Sequence, residues 1–363
     1  MTVGPAVVCV PARDEVRRLP RLIRSLGRQD GPCGREPLRV VIVANNCTDG
    51  TIDAVRAMEA AGETGTLAIR LIEADLAPAQ AHAGTARRMA LDAGSAWLEA
   101  EGFPDGTLLT TDADARVPRS WIAANLRALA GAEIVGGRLV LDPEDAPDAV
   151  LADLHARIER YWTCVRAVED ALDPPPHDPA PRHGDHTGAS LALTASLYRR
   201  VGGLPPLPRG EDNALVARVR RAGGRLRHCP DVSVLVSDRA AGRADGGMAA
   251  EMLRREAAAR AALPYRLPVP GHWQALIARR AALRRAWTGT AGRERRAALL
   301  AFGLTEADLI AIEPDACAND IAFVERAAPR LEAADGPAPE MDLDAALAAF
   351  DALLPGLGRG QAA

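Results

Sequence analysis

The sequence predicts an α/β protein: a mostly parallel sheet with helices on both faces, followed by a helical appendage. Three observations lead there. Short apolar runs alternate with amphipathic stretches of helical period, which is how repeated βα units read. Polar and charged residues gather where those runs end, at the strand termini where open parallel sheets bind ligands. Beyond Gly247 the apolar runs give way to Ala-rich segments of helical spacing, cut by Pro and Gly. The predicted division is an α/β domain over residues 1–247 and a helical domain over 248–363, and a chain of 363 residues is long enough for two cores.

The elements follow in order. Ala6 to Pro11 is a continuous apolar run, as expected of a strand buried on both faces, and it leads through Ala12-Arg13-Asp14-Glu15 into an amphipathic helix reaching Leu26. Val40 to Ala44 is the second strand. Asn45 to Gly50 reads as a turn with Thr48 or Asp49 capping a helix over Ile52 to Ala61. Leu67 to Glu73 and Ala81 to Ala93 supply the third strand and its helix, and Leu108 to Thr111 is the fourth strand. That strand gives out into Asp112-Ala113-Asp114. In an extended segment residues i and i+2 point the same way, so the two carboxylates can share one cation. Mg²⁺ in particular takes one or two carboxylates together with a substrate's phosphates. An Asx turn with solvated acids is the other reading of the same residues.

Further on, Gly210-Glu211-Asp212 opens a helix with an apolar stripe of Leu215, Val216 and Val219, and Asp231 to Ser237 reads as a strand. The appendage has helical patterns over Met248–Leu263, His272–Trp287, Glu294–Phe302 and Leu343–Leu354, with a capping-box pattern at Thr305 to Asp308.

Composition excludes several classes. With 48% hydrophobic and 25% charged residues the chain has an ordinary globular make-up. A net charge of −4 gives no electrostatic reason to expect nucleic acid as a partner, and 3% aromatics leaves few stacking platforms for bases. No run approaches the roughly twenty apolar residues of a membrane span, and no basic segment followed by an apolar one opens the chain. The six cysteines are scattered without metal spacing and read as reduced thiols. A cytoplasmic location is the expectation.

Four segments, in order over roughly residues 5 to 245, resemble the family 2 glycosyltransferases, nucleotide-diphospho-sugar transferases with the Rossmann-like GT-A fold. They are VVCVPARDE, VVIVANNCTDGT, LLTTDADARVP and GEDNALVARVRRAG, and HTGASLAL between the last two is similar to the family's acceptor-side segment. The resemblance implies a divalent metal, Mn²⁺ or Mg²⁺, on Asp112 and Asp114. It implies donor contacts from Pro11, Ala12, Arg13, Glu15, Asn45, Asp112 and Ala113, and from Arg87 rather than Arg88. Asn45-Asn46 stands where many members carry Asp, and an amide pairs with a base edge without charge assistance. Asp212 occupies the position of the catalytic base for transfer with inversion, with Glu211 beside it tuning the base or orienting the acceptor. A helix start favoured by acidic residues is the plain reading of the same pair. Arg239 and Arg243, in a Gly-rich segment, are expected to close over the diphosphate or to serve as a linker. His183 to His186, after a Pro-rich stretch, is expected in an acceptor-side lid or a surface loop.

What the resemblance implies is therefore a metal-dependent, hexosyl-transferring enzyme that moves sugar from a nucleotide-diphosphate sugar to an acceptor hydroxyl. Two rivals are a sugar-1-phosphate nucleotidyltransferase, which wants a Gly-rich basic loop that Pro11 to Glu15 lacks, and a non-catalytic sugar-nucleotide-binding protein. The appendage is expected to pack, to form a homodimer, or to recognise an acceptor.

Overall fold

A computed structural model describes residues 5–30, 37–142, 144, 149–237, 248–261, 263–333 and 335–359. Among the described residues a seven-stranded sheet comprises β1 (Ala6–Ala12), β2 (Leu38–Asn45), β3 (Leu67–Ala74), β4 (Thr107–Thr110), β5 (Ile134–Leu141), β6 (Leu191–Thr194) and β7 (Leu226–Val236), in the order β3-β2-β1-β4-β6-β5-β7. Strand β6 runs antiparallel to β4 and β5, and the other pairings are parallel. The α/β class, the mostly parallel sheet and the helices on both faces are as the sequence predicts.

Alternation along the strands explains the unbroken apolar runs. Val8, Val10, Val40, Ile42 and Leu109 pack on one face with residues of α1 (Leu19–Leu26), α2 (Thr51–Ala60) and α4 (Trp121–Leu129). Val7, Cys9, Val41, Val43 and Leu108 pack on the other with α3 (Ala83–Ala100), α6 (Ala195–Arg200) and α7 (Glu211–Arg221). A strand covered twice has no polar face to show. Helix α3 lies close on the sheet at Gly94, where a Cβ would stand 2.8 Å from the Cys9 sulfur.

The chain forms two compact units. The first comprises Met1–Ala146, Pro181–Val219 and Arg225–Met252; the second comprises Pro147–Ala180, Arg220–Gly224 and Leu253–Ala363. A single cut at residue 247 therefore does not describe the division, because α5 (Ala149–Leu172) is part of the second unit. Its Leu154, Ile158, Tyr161 and Val168 share a core with Tyr265, Leu267, Ile277, Leu343 and Phe350. Those partners come from β8 (Arg266–Pro268), α9 (Pro270–Thr288) and α13 (Leu343–Arg359) and their flanks, with α8 (Met248–Arg260) and β9 (Glu340–Asp342) alongside. A further core joins α9 to α10 (Gly292–Ala301), α11 (Glu306–Ile312) and α12 (Asp320–Glu332) through Leu283, Leu299, Leu309 and Phe323. The capping box expected at Thr305 is present: Thr305 Oγ1 accepts the Asp308 N–H at 3.1 Å and Asp308 Oδ2 accepts the Thr305 N–H at 2.9 Å.

No described helix is long and apolar enough to cross a membrane. The described cysteines, Cys9, Cys47, Cys164, Cys229 and Cys317, are free thiols.

Candidate active site

Parallel strands end together, so the loops after β1, β2 and β4 meet at one edge of the sheet. The first two are stitched to each other. Asp14, in the left-handed region at φ 49, accepts the Thr48 N–H at 2.7 Å, while Asp49 accepts the Val16 N–H at 3.0 Å. The Glu15 N–H donates to Thr51 Oγ1 at 2.7 Å. Asn46, also left-handed, takes the Leu76 N–H at 3.1 Å and donates to Leu76 O at 3.0 Å, which ties the end of β2 to the end of β3.

Within this frame Pro11 and Ala12 belong to β1, paired with Val43 and Ala44, and the loop starts only at Arg13. The apolar run read from the sequence ends at Pro11, so the strand is one residue longer than that run. Arg13 is exposed and donates to Ala81 O at 2.7 Å, and Glu15 is buried. Asn45, the last residue of β2, is buried; its Nδ2 donates to His82 O at 3.4 Å, and its Oδ1 has no partner among the described residues.

Asp112 and Asp114 lie beyond the end of β4 in a turn closed by the Ala115 N–H on Asp112 O at 3.1 Å. The segment is thus not extended, which corrects the geometry from which a shared direction was expected. The burial pattern nevertheless alternates: Ala113, Ala115 and Val117 are buried, and Asp112 and Asp114 are partly exposed between them. Small apolar side chains anchored inward leave the carboxylates on the open side.

Arg87 joins this turn to the start of α7. It is 5% exposed, and its Nη2 donates to Asp112 Oδ1 while its Nη1 donates to Glu211 Oε1. Gly188 makes the approach possible, since a Cβ there would stand 2.3 Å from the Arg87 Cζ. Asp212, one residue past Glu211, accepts the Gly188 N–H at 2.9 Å and its neighbour Asn213's N–H at 2.8 Å. The carboxylates of Asp112 and Glu211 therefore share one guanidinium, which also feels the charge of Asp212. Although part of its side chain is open, Asp112 is raised first by loss of water on the side that meets the buried guanidinium, against the pull of Arg87, with the charges of Asp114 and Asp212 adding to the rise. Glu211 is likewise raised by burial against the opposing pull of Arg87. The Arg87 guanidinium is held more firmly protonated: burial works against its charge, and Asp112, Glu211 and Asp212 outweigh it.

The sequence singled out these residues but not their mutual contacts. Arg87 was expected on a diphosphate, and its terminal nitrogens are spent on two carboxylates; Arg88, one residue on, donates to Leu204 O at 2.9 Å and pairs with Asp92. Gly188 and its N–H went unnoticed, the only hint being the run of small residues in HTGASLAL. Arg239 and Arg243 lie outside the described residues.

The histidines form a group of their own. His183 is buried with Nε2 3.2 Å from Cys229 O, His186 Nδ1 lies 3.1 Å from His228 Nε2, and Asp185 accepts the Leu139 N–H at 2.9 Å. These contacts seat the segment against β5 and β7 rather than leaving it as a surface loop. His228 was not anticipated.

Asp112 and Asp114 suit a divalent ion only in company. Among the described residues no group of three or more His, Cys, Asp or Glu side chains is arranged to hold one. Two carboxylates are what a hard cation takes when a diphosphate supplies its other oxygens, so the donor set fits an ion bound together with such a ligand.

No family model and no curated protein matches the sequence. Solved structures are similar to the chain. The mannosyltransferase PcManGT from Pyrobaculum calidifontis, in complex with GDP-Man and Mn²⁺, is 21% identical over 92% of this chain and 88% of its own, with a TM-score of 0.46. S. aureus TarS 1-349 in complex with UDP-GlcNAc is 14% identical over 91% and 92%, with a TM-score of 0.44. Glucosyl-3-phosphoglycerate synthase from Mycobacterium tuberculosis, in complex with phosphoglyceric acid, is 14% identical over 70% and 80%, with a TM-score of 0.42. The mostly parallel sheet with helices on both faces is the α/β arrangement that the sequence's resemblance to the GT-A glycosyltransferases implies.

Proposed function

We propose that the chain is a metal-dependent glycosyltransferase that moves a sugar from a nucleotide-diphosphate sugar to an acceptor hydroxyl with inversion. The observation that carries the reading is the joining of the Asp-x-Asp turn to the Glu-Asp helix start through Arg87, beside the carboxyl ends of the strands. A nucleotide-sugar transferase needs a cation site and a base on either side of the transferred sugar, and Arg87 links the segments read here in those two roles.

In this reading the nucleotide lies along the β1 and β2 ends. Pro11, Ala12, Glu15 and Ala113 shape that end, Arg13 supplies an exposed cation, and Asn45 offers to a base N–H its Oδ1, which has no partner among the described residues. Asp112 and Asp114 hold the divalent ion, which when bound withdraws charge from the leaving diphosphate. Asp212 takes the acceptor's proton as its oxygen attacks the anomeric carbon and the bond to the diphosphate breaks. The N–H groups of Gly188 and Asn213 fix that carboxylate without consuming all its acceptor positions. Glu211, buried on Arg87, positions the start of α7 and does not itself take the proton.

A panel of nucleotide sugars tests the reading by hydrolysis and by thermal stabilisation, with and without Mn²⁺. At least one donor is expected to raise the melting temperature and to be hydrolysed only with metal, and D114A is expected to lose both effects. A panel with no metal-dependent response, or an unchanged response in D114A, overturns the assignment. The anomeric configuration of the product, read by NMR, decides inversion.

A further inference from the structure

We propose that Arg87 keeps Asp112 closed to a divalent ion until a nucleoside diphosphate is present, so that the protein takes up metal together with the nucleotide and not before it. The inference rests on the metal and donor reading of the site given above.

The geometry is that of a latch. Arg87 sits on α3 with its guanidinium buried, one nitrogen on Glu211 at the head of α7 and another on Asp112 in the turn after β4. The backbone of Gly188 lies against the guanidinium carbon so closely that even a methyl group would not fit. Glu211, itself 6% exposed, has its charge balanced by Arg87, so leaving Glu211 would strand a carboxylate in the interior. Asp112 is the looser of the two attachments, because its side chain is 39% exposed.

An ion offered only Asp112 and Asp114 meets a fixed positive charge on the first of its ligands. That repulsion cancels part of what two carboxylates return, and the Asp112 oxygen must first give up its bond to Arg87. A nucleoside diphosphate changes both sides of the balance. It brings the oxygens that the donor set lacks, and it brings an anion that the guanidinium can face in place of Asp112. Arg87 Nε, buried with no hydrogen-bond partner among the described residues, is a donor that neither carboxylate uses, as expected of a group with a second arrangement to adopt.

Calorimetric titration with MnCl₂, alone and with excess GDP or UDP, tests this. Wild type is expected to bind Mn²⁺ weakly alone and far more tightly with nucleotide. R87M/E211Q removes the buried pair as a unit and is expected to bind Mn²⁺ alone roughly tenfold more tightly, or better, with a smaller gain on adding nucleotide. Should the double variant fail to melt cooperatively, R87K carries the test: lysine keeps a charge for Glu211 but lacks the fork that spans two carboxylates, so the same direction of change is expected. Unchanged or weaker binding of Mn²⁺ alone in the folded variant overturns the latch while leaving metal-dependent nucleotide binding by wild type intact. If wild type binds neither GDP nor UDP in a Mn²⁺-dependent way, the underlying reading falls and the latch falls with it.

Discussion

At the scale of single residues, the site depends on atoms that carry no charge. Gly188 does two things at once: its missing side chain lets Arg87 lie flat, and its N–H aims Asp212. A G188A variant places a methyl group 2.3 Å from the Arg87 Cζ, so either the guanidinium or the β6 approach must shift. Overpacking of this kind costs about 1–3 kcal/mol, and a lower melting temperature together with impaired turnover is expected, read by thermal denaturation and by product formation. Full stability with full activity would mean that Arg87 is not held there. For Asp212, D212N keeps shape and hydrogen-bonding atoms while removing basicity, so donor binding is expected to survive while turnover falls by roughly 10²–10⁴. Near-normal turnover in D212N would remove it as the base. The sequence displayed Asp112, Asp114, Glu211, Asp212 and Arg87 because charged pairs at strand and helix ends stand out. It hid Gly188 because a glycine's contribution is an absence, and it hid the Arg87 contacts because they join residues that only the folded sheet brings together.

At the scale of elements, strand and helix positions were legible wherever burial on two faces or one imposes a period. The first four strands sit within a few residues of where their apolar runs place them. The Asp-x-Asp segment was read as extended and is a turn, since the apolar run before it says where a strand ends but not how the chain leaves. Helix α11 shows local chemistry that the sequence did reveal. Its Asp308 carboxyl is pulled down to about 2, first by the Thr305 hydroxyl, then by the Thr305 N–H and by Arg330. A depressed folded value means that the stabilisation is fully present above the unfolded value of roughly 4 and is lost as pH falls through about 2. The difference in urea midpoint between wild type and D308N is therefore expected to be level from pH 7 to about pH 5 and to shrink progressively below pH 4. A difference that stays constant across that range would show that Asp308 caps through its shape and not through its charge.

At the scale of the whole molecule, the chain does not obey the division its composition advertises. The change of character at Gly247 is real, yet α5, nearly a hundred residues earlier, shares the second unit's core. Its sequence is mixed, and nothing local says with which segment its apolar stripe packs; that information lies in Tyr265, Ile277, Leu343 and Phe350. Polar contacts agree: Arg160 pairs with Asp351 at 2.8 Å, Arg157 with Asp344 at 2.7 Å, and the Tyr161 hydroxyl donates to Pro268 O at 2.6 Å while accepting from Trp273 Nε1. A fragment ending at residue 247 would keep α5 and lose every one of these partners. Ile158 and Tyr161, at most 1% exposed in the full chain, would then lie open beside Leu154 and Val168 as a contiguous apolar face. The 1–247 fragment is accordingly expected to bind a hydrophobic dye strongly and to elute as aggregates in size-exclusion chromatography, whereas full-length F350A, which only opens a cavity in that core, should stay soluble and lose about 3–5 kcal/mol of the second unit's stability. A fragment of residues 1–247 that is monomeric, silent to the dye and cooperative in its melting would show that α5 finds its core within the first 247 residues, and would restore the division read from the sequence.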